Sequence, residues 1–361
     1  MSQPKKILVA PLNWGLGHAT RCIPIIQELQ RQGTTVVLAS DGGALALLRE
    51  VFPELTSFEL PSYNIRYRSQ SMAWNMAWQL PKILRAIWRE HQTLKELVAY
   101  HGIDGIISDN RFGCFLSEKR SVFLTHQINI QAPFFLVKKL VNLFNHLIIK
   151  QFDECWVPDM AGTPNLSGAL SHPNKPELNK KSKYIGALSQ LKPTTPVPQR
   201  YDVIAVLSGP EPQRTKLENV LIEQMGKLDG QFLIVRGRPK KHADSPFFTP
   251  KNIKIVPILM GELLQKAILE SGVFIGRSGY STIMDLARLG NPALLIPTPG
   301  QTEQEYLATK FLTENIFFTQ KQNELNLKEG IVEAKKRSGL QGYFFDEKAV
   351  SEAISSFLEA C

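Results

Sequence analysis

The sequence predicts an α/β protein of two domains, each built on a mostly parallel sheet. The 361 residues correspond to about two domains at roughly 150 residues each. In both halves, short apolar runs alternate with stretches of helical periodicity. A proline-rich segment over 189–200 has no apolar pattern and separates the halves. We predict a domain over 1–190, a linker over 191–200 and a domain over 201–361, whose last helix can pack back on the first.

Each predicted element of the first half follows from its local pattern. A short apolar run with turn residues on both sides is typical of a buried parallel strand, and apolar residues every three or four positions are typical of a helix. The pattern predicts strands over 6–10, 35–40, 105–109, 121–126 and 155–159, and a helix over 20–31. The later strands end in polar residues, so we expect chemistry at their carboxyl ends.

The second half repeats this scheme. A strand over 201–209 runs into a glycine turn and is followed by a helix over 215–228. The runs QFLIVRG, IKIVPI, VFIGRSG and PALLIP then predict strands that alternate with helical stretches over 261–270, 281–289 and 303–314. Ligands are expected where the loops at the carboxyl ends of the strands meet.

Composition and charge narrow the class of protein. Hydrophobic residues make up 43% of the chain and charged residues 21%, which is typical of globular proteins and excludes disordered, collagen-like and disulfide-scaffold classes. Lysine and arginine total 42 against 33 acidic residues, a net charge of +9. This surplus favours an anionic partner such as a nucleotide, a nucleic acid or a phospholipid surface.

Cysteine spacing and hydropathy indicate a cytoplasmic protein. Cys22, Cys114, Cys155 and Cys361 form no CxxC motif, which predicts reduced thiols and no zinc site. The apolar run after the first lysines is shorter than the roughly 7–15 residues of a signal-peptide core. No window reaches the ~18 apolar residues of a membrane span.

The first candidate loop reads NWGLGHAT over 13–20. Gly15 and Gly17 permit a tight turn, and the following helix N-terminus can bind an anion. As a dinucleotide fingerprint the loop lacks its third glycine, although Asp41 leaves an oxidoreductase open. His18 favours a functional role for this loop, because a histidine side chain titrates near neutrality. An ordinary tight turn is the alternative.

Three loops of the second half have a similar character. SGPEPQR over 208–214 places an arginine at a strand–glycine–helix junction, which suits a phosphate or is a plain capped turn. The loop over 276–285 offers hydroxyls and backbone N–H groups to a diphosphate, and Asp285 to ribose hydroxyls. A capping box of Thr282 and Asp285 is the alternative there. In the loop over 297–305, Thr302 and Glu305 predict a helix cap, which leaves two polar residues between them to read sugar hydroxyls.

The run RSGYSTIMDLARLGNPALLIPTPGQTEQEYLA over 277–308 resembles the donor-binding segment of family 28 glycosyltransferases. This family includes the UDP-N-acetylglucosamine transferase of lipid II synthesis. The runs WGLGH, SGPEPQR and LTHQINI are similar to its acceptor loop, its second Gly-rich loop and an element ending a first-domain strand. The resemblance implies the GT-B fold: two Rossmann-like, doubly wound parallel-sheet domains facing a cleft.

The resemblance also implies roles for individual residues. Gly15, Gly17, His126 and Gln127 would bind the acceptor. The donor would contact Ser208, Gly209, Met260, Gly261, Ser278, Gly279, Ser281, Thr282, Asp285, Glu303 and Gln304. Apart from the resemblance, the loops offer Arg214 or Arg277 as a donor-binding cation that stabilises the leaving diphosphate in place of a metal. The base on the acceptor is either His18 or Asp109, with a structural loop carboxylate as the alternative for Asp109.

Two stretches mix aromatic and basic residues. Residues 65–91 hold Trp74, Trp78 and Trp88 among arginines and lysines, and residues 132–150 combine apolar side chains with lysines. This composition fits a helix at a membrane interface, aromatics that stack on bases, or a helix packed on the first sheet.

Taken together, the sequence predicts a glycosyltransferase that moves a sugar from a UDP-sugar to an acceptor hydroxyl. The resemblance implies an inverting displacement, and the absence of a DxD triplet agrees with a reaction without metal or cofactor. The acceptor would be lipid-linked or membrane-associated, with the protein at the inner face of the plasma membrane. Alternatives are a UDP-sugar epimerase of the same fold and a non-catalytic protein that binds nucleotides or nucleic acid, although nucleic acid is not favoured as a partner.

Overall fold

A computed structural model describes residues 4–64, 72–173, 176–192, 197–237, 250–343 and 345–361, without the side chains of 72–78, 176 and 347. The chain divides into two units. The first comprises Met1–Leu188 and Phe345–Cys361, and the second comprises Ser189–Phe344. Residues 193–196 of the predicted linker and residues 65–71 of the aromatic stretch, with Arg66 and Arg68, lie outside the described residues.

The first unit contains a seven-stranded sheet in which every strand pairing is parallel. Its strands are β1 (Lys6–Pro11), β2 (Thr35–Ser40), β3 (Thr56–Glu59), β4 (Gly105–Asp109), β5 (Arg120–Leu124), β6 (Glu154–Val157) and β7 (Ser182–Tyr184). The spatial order is β3-β2-β1-β4-β5-β6-β7. Because the order reverses between β1 and β4, their carboxyl ends flank the crevice where doubly wound sheets bind ligands.

Helices cover this sheet and explain why its central strands are almost wholly apolar. They are α1 (Gly17–Arg31), α2 (Gly42–Val51), α3 (Met72–His101), α4 (Phe135–Ile149) and α5 (Pro176–Lys181). In α1, Ile25, Ile26 and Leu29 are completely buried, as the helical spacing predicts. The aliphatic core of β1, with Ile7 and Leu8, is likewise inaccessible to solvent.

The second unit contains a six-stranded parallel sheet. Its strands are β8 (Tyr201–Val206), β9 (Phe232–Val235), β10 (Ile253–Val256), β11 (Ser271–Gly276), β12 (Ala293–Leu295) and β13 (Phe318–Thr319), in the order β10-β9-β8-β11-β12-β13. Its helices are α6 (Gln213–Met225), α7 (Gly261–Leu269), α8 (Tyr280–Leu289), α9 (Thr302–Thr313) and α10 (Leu327–Lys335). The reversal of order here lies between β8 and β11.

The last helix, α11 (Glu347–Ala360), belongs to the first unit. Phe357 packs edge-on against Trp156 of β6, with ring centroids 5.8 Å apart. Ser355 donates a hydrogen bond to the Gln32 side chain over 3.0 Å. The C-terminal segment therefore completes the core of the sheet that the N-terminus begins.

The predicted class of two parallel-sheet α/β domains is confirmed, while several element ends differ. Helix α1 begins at Gly17 rather than residue 20, and β5 ends at Leu124 rather than residue 126. His126 lies just beyond the strand, where its imidazole contacts Arg21. Among the described helices, none combines the length and the apolar character needed to cross a bilayer.

Candidate active site

The site in the first unit is built where β1 and β4 end. These strands pair up to Pro11 and Asp109, and the Leu12 amide still donates to the Asp109 carbonyl over 2.9 Å. After β1 the chain turns through Gly15, whose φ of +80° favours glycine, and enters α1. This turn brings the first residues of α1 over the end of β4.

His18 and Asp109, the two candidate bases, contact each other. His18 Nδ1 lies 2.9 Å from Asp109 Oδ1. The Asp109 side chain is fully buried, whereas the His18 side chain is 15% exposed. In the tautomer with its proton on Nδ1, His18 donates that proton to Asp109 and Nε2 has the free electron pair.

Arg21, one turn after His18 on α1, closes the cluster. Its Nε donates to Asp109 Oδ2 over 2.7 Å, and its Nη2 forms an ion pair with Asp109 Oδ1. Its Nη1 lies 2.9 Å from His126 Nδ1. The guanidinium therefore connects the ends of β4 and β5. Its pair with Asp109 is bidentate, which is the strongest geometry for an arginine–carboxylate pair.

The two candidate bases differ in how readily they accept a proton, because of the charges around them. Burial alone would raise the pKa of Asp109, but the Arg21 cation and then His18 outweigh it and hold the pKa of Asp109 well below its usual range. Asp109 therefore stays ionised at neutral pH and is a poor proton acceptor. Of the pair, His18 has the more exposed side chain.

A second buried charge cluster supports the Gly-rich loop. Arg111 is completely buried and pairs with Asp41 and Glu90. Asp41 also accepts from Asn13 Nδ2 over 3.1 Å, and Tyr63 donates to Glu90 over 2.8 Å. With both oxygens bonded inside the protein, Asp41 braces the loop rather than offering the ribose ligand that the oxidoreductase alternative requires.

The predicted acceptor residues gather around the same strand ends. Gly15 and Gly17 form the turn into α1, which begins without a side-chain cap. His126 is buried. The backbone N–H of the next residue, Gln127, donates to Thr125 Oγ1 over 3.0 Å. The structure thus brings His18, Asp109 and His126 together through Arg21.

In the second unit, the predicted donor residues lie after β8 and β11, on both sides of the reversal in strand order. Ser208 and Gly209 are exposed at the end of β8, and Gly209 has a φ of +95°. Gly279 precedes α8, which starts without a side-chain cap. Ser281 and Thr282 lie in its partly exposed first turn, and the N-terminus of a helix is a favourable place for an anion.

Arg277 is buried, and its two terminal nitrogens are bonded within the protein. It is 1% exposed and donates to the carbonyls of Ile296, Pro297 and Gln213 and to the Gln322 side chain. Burial lowers its pKa to about 10, so it remains a cation at neutral pH. It ties the end of β12 to the start of α6.

Two buried polar atoms beside Gly209 have no hydrogen-bond partner among the described residues. They are Arg277 Nε and Thr298 Oγ1. A Cβ on Gly209 would lie 3.4 Å from Thr298 Oγ1 and 3.9 Å from Arg277 Nε. Unpaired buried polar groups are costly, so a cation and a hydroxyl facing a glycine form a cradle suited to an anionic oxygen.

Asp285 does not form the capping box with Thr282. Gly279 is the N-cap of α8, and the Asp285 carboxylate accepts from Ser189 Oγ over 2.6 Å. Asp285 also lines a cavity of about 40 Å³ with Thr282 and Leu264. Burial raises its pKa to about 7, against the opposing effect of the Ser189 hydrogen bond.

The loop before α9 is held by its own polar residues. Gln304 is buried and its Oε1 accepts from the Thr298 amide over 2.8 Å, while Ser278 Oγ donates to the Gln304 carbonyl. Glu303 is partly exposed beside it. Glu305 accepts from the Gly300 amide over 3.0 Å, so it is structural as expected, although Gln301 and not Thr302 is the N-cap.

The remaining predicted donor residues lie at the starts of α6 and α7. Arg214 pairs with Glu211 over 2.9 Å and donates to the Gly237 carbonyl, so a phosphate would have to compete with Glu211. Met260 is the N-cap of α7 and Gly261 its first residue, with a φ of +52° and open space where a Cβ would be. Both are partly exposed.

Arg21 and Arg111 are central residues that the sequence did not identify. Arg21 precedes Ile25 and Leu29 by whole helical turns, so it is a charged residue within the apolar stripe of α1. A charge in that stripe requires a buried partner, and this signal could have identified it. Within the described ranges, no three His, Cys, Asp or Glu side chains are placed to hold a metal ion. The four cysteines are free thiols.

Comparison with known proteins assigns the second unit. Residues 204–343 match the family model of the Glycosyltransferase family 28 C-terminal domain. The chain is 23% identical over 323 residues to an uncharacterized glycosyltransferase of Methanosarcina acetivorans, covering 83% of this chain and 81% of that protein.

Solved structures share the fold over nearly the whole chain. MurG of Acinetobacter baumannii matches with a TM-score of 0.58 and 14% identity, covering 99% of this chain and 100% of that one. The spinosyn rhamnosyltransferase SpnG, complexed with thymidine diphosphate, matches with a TM-score of 0.62 and 13% identity, covering 98% and 95%. The fold is that of GT-B glycosyltransferases. With a family 28 C-terminal domain in its second unit, the chain is a glycosyltransferase.

Proposed function

We propose that this glycosyltransferase transfers a sugar from a UDP-sugar to an acceptor hydroxyl, with His18 as the general base. The observation that carries the proposal is the contact between His18 Nδ1 and Asp109 Oδ1 at 2.9 Å. Asp109 is kept ionised by Arg21 and so orients the imidazole without competing for the proton.

The reaction is a single displacement. His18 Nε2 accepts the proton of the acceptor hydroxyl as its oxygen forms a bond to the anomeric carbon of the sugar. The bond from that carbon to the diphosphate oxygen breaks, and UDP departs with the electron pair. Because the nucleophile attacks opposite the leaving group, the configuration at the anomeric carbon inverts.

The departing diphosphate needs positive potential, which the second unit can supply. The uncapped first turn of α8 presents backbone N–H groups, and the cradle at Gly209 adds the Arg277 cation and the Thr298 hydroxyl. SpnG, a structural neighbour, has been crystallised with thymidine diphosphate. These features support a nucleoside diphosphate donor.

Incubation of the full chain with radiolabelled UDP-sugars and a panel of lipid and soluble acceptors tests the proposal. We expect release of UDP that depends on an acceptor, together with label in an acceptor product of inverted configuration. An isomerised donor without transfer would indicate an epimerase. Binding without any turnover would indicate a nucleotide-binding protein and would reject the proposal.

We expect Asp285→Asn to weaken donor binding by about 1–3 kcal/mol, the value for one hydrogen bond to a charged group. If a ribose hydroxyl donates to the carboxylate, donor affinity of the wild-type protein should rise as the pH passes about 7 and Asp285 ionises. The carboxamide that replaces the carboxylate does not titrate, so the variant should show a flat profile.

Calorimetry with UDP-N-acetylglucosamine from pH 6 to 8 measures both effects, because its diphosphate diester does not titrate in this range. Melting curves of the same samples report folding. An unchanged dissociation constant with a lower melting temperature would leave Asp285 only its structural bond to Ser189.

We further propose that the first unit binds an anionic membrane surface, as a lipid-linked acceptor would require. An ordinary surface helix turns its apolar face inward and its polar face to solvent. Helix α4 departs from this pattern. Two of its polar residues face inward: Asn142 bonds both backbone groups of Ile130, and His146 bonds the Ile128 carbonyl. Ile149 is buried, whereas six apolar residues of its N-cap and outer face are between 52% and 78% exposed: Phe134, Phe135, Leu136, Leu140, Leu143 and Leu147.

Helix α3 adds to this surface. Trp88 is 62% exposed, and Leu80 and Leu84 are also exposed. Ala86 of α3 and Phe144 of α4 both pack near Phe112, which places the two helices on neighbouring parts of the unit. The alternative of a fully packed aromatic helix therefore fails for Trp88, while the side chains of Trp74 and Trp78 lie outside the described residues. Exposed apolar side chains beside lysines favour anionic lipid.

The double variant Phe135→Ser/Leu140→Ser should lower binding to vesicles of phosphatidylglycerol by at least about tenfold, since each large apolar side chain contributes about 1.5–3 kcal/mol on burial. Vesicle flotation at low and high salt measures it, and wild-type binding should weaken with salt. The matched control is Leu312→Ser/Val332→Ser, which removes two exposed apolar residues from the second unit. Equal binding by all three proteins, or none by the wild type at low salt, would reject the membrane proposal.

A further inference from the structure

Ser189 bonds the Asp285 carboxylate, although it lies outside the four loops that the sequence singles out. Its Oγ donates to Asp285 Oδ1 over 2.6 Å. Ser189 is the first residue of the second unit, and Asp285 lies on α8 of the same unit. Asp285 Oδ2 has no hydrogen-bond partner among the described residues. One oxygen of the carboxylate is therefore held by the protein, and the other is available to a ligand.

We propose that Ser189 is a positioning residue for the donor: its hydroxyl holds one oxygen of the Asp285 carboxylate and so fixes the side chain with its other oxygen open to the ribose hydroxyls. This inference rests on the proposed UDP-sugar donor and on Asp285 as its ribose ligand. It assigns control of donor affinity to a residue that does not itself touch the donor.

The Ser189 hydroxyl is itself oriented by the backbone. Its oxygen accepts from the Leu191 amide N–H over 3.1 Å, which leaves its single proton for Asp285. The amide, the hydroxyl and the carboxylate form a chain in which each donor faces an acceptor. Hydrogen bonds in such a chain polarise one another, so each strengthens the next. The proton of Ser189 is therefore directed at the carboxylate.

The segment over 189–192 is fastened to two helices of the second unit. The Lys192 amide donates to Gln265 Oε1 of α7 over 2.8 Å. The Leu191 carbonyl accepts from Arg288 Nε of α8 over 3.3 Å, and Leu191 is 1% exposed. Because these bonds fix the segment before any ligand binds, the hydroxyl stays beside the carboxylate without a further loss of entropy on binding.

The Asp285 carboxylate lies in largely apolar surroundings. Leu264 and Phe274 are among the apolar side chains that line the cavity of about 40 Å³ beside it, and Thr282 lines it as well. Burial raises the pKa of Asp285 to about 7, and the hydrogen bond from Ser189 opposes that rise. Loss of the hydroxyl should raise the pKa further and leave less of the ionised carboxylate at neutral pH.

Asp285 is the one titratable group among the described residues that line this cavity. The other charged side chains of α7, α8 and the segment over 189–192 do not line it: Glu262, Lys266, Arg288 and Lys192. A change in the titration of Asp285 on substitution of Ser189 can therefore be assigned to the loss of their hydrogen bond.

Calorimetry of the full chain with UDP and with 2′,3′-dideoxy-UDP tests the proposal. The ratio of the two dissociation constants isolates the ribose hydroxyls, and the titration of the terminal phosphate, which both probes share, cancels in it. We expect Ser189→Ala to lower the preference for UDP by about 2–10-fold at pH 7, the range for loss of one hydrogen bond. The preference should recover at higher pH, because the carboxylate ionises there without the hydroxyl.

Ser189→Thr keeps the hydroxyl and should retain the wild-type preference. Ser271→Ala is the matched control, because Ser271 donates to the Ala267 carbonyl over 2.6 Å in the same unit and is not a predicted donor residue. In the Asp285→Asn background, Ser189→Ala should cause no further loss. A preference that is unchanged in Ser189→Ala, or that is lowered equally at every pH, would overturn the inference.

A titration without ligand separates this inference from the proposed function. In protein labelled with ¹³C at the aspartate carboxyl groups, Asp285→Asn removes the Asp285 signal and so assigns it. Ser189→Ala should move the midpoint of that signal upward, whereas Ser189→Thr and Ser271→Ala should leave it near the wild-type value. A wild-type protein that binds no UDP would reject the proposed donor, while the titration would still decide whether Ser189 holds the carboxylate. A midpoint that does not move in Ser189→Ala would overturn the inference.

Discussion

Replacing His18 with alanine is expected to lower kcat for sugar transfer by about 10²–10⁴-fold, the range for loss of a general base. The reason is geometric: Asp109 holds Nδ1 at 2.9 Å, and the side chain is partly exposed. Donor affinity should barely change, because the predicted donor residues all belong to the second unit. Steady-state kinetics and calorimetry with UDP on the same preparation measure both quantities.

His101→Ala is a suitable control, since His101 is a partly exposed residue at the end of α3, outside the site. It should retain full kcat. A His18 variant with normal kcat per folded molecule and a lower melting temperature would show a structural histidine. Asp109 could then act as the base only if its ion pair with Arg21 were broken.

Replacing Arg111 with methionine is expected to give the largest loss of stability, about 3–5 kcal/mol, because it leaves Asp41 and Glu90 buried without their cation. At about 2–4 °C per kcal/mol for domains of this size, the melting temperature should fall markedly. Thermal and urea unfolding of the full chain measure the change.

Arg31→Met provides the comparison, since Arg31 is 67% exposed and exposed ion pairs contribute only about 0–1 kcal/mol. Equal effects of the two substitutions would show that the Arg111 cluster is not the support of the Gly-rich loop that its bonds to Asp41 and Glu90 indicate. If Arg111→Met weakened donor binding without lowering the melting temperature, the supporting role of the Arg111 cluster would also be contradicted.

Most of the fold could be predicted because parallel strands are buried on both faces. The runs at 35–40 and 105–109 each have an apolar centre followed by polar residues, and the structure has strands with those bounds. The ends that differ lie where tertiary contacts act. Residues 125–126 lie beyond β5, and His126 there contacts Arg21, which lies 105 positions earlier in the chain.

The positions of the candidate site residues in the fold could be predicted from the sequence, but the contacts between their side chains could not. Residues at the carboxyl ends of parallel strands lie at one edge of a sheet, so His18 and Asp109 could both be identified. Which of them accepts a proton depends on Arg21, whose contact with Asp109 spans 88 positions. For Arg277, the sequence shows a cation in a Gly-rich loop but not that four of its bonds are to the protein.

By itself, then, the sequence determined the two parallel-sheet units, the loops at their strand ends and the family 28 resemblance of 277–308, because these depend on local pattern and residue type. The tertiary structure decided which charges are paired. It assigned Arg21 to Asp109, Arg111 to Asp41, and the inward face of α4 to its polar residues. Pairing depends on burial and on distances between remote residues, and these exist only once the chain has folded.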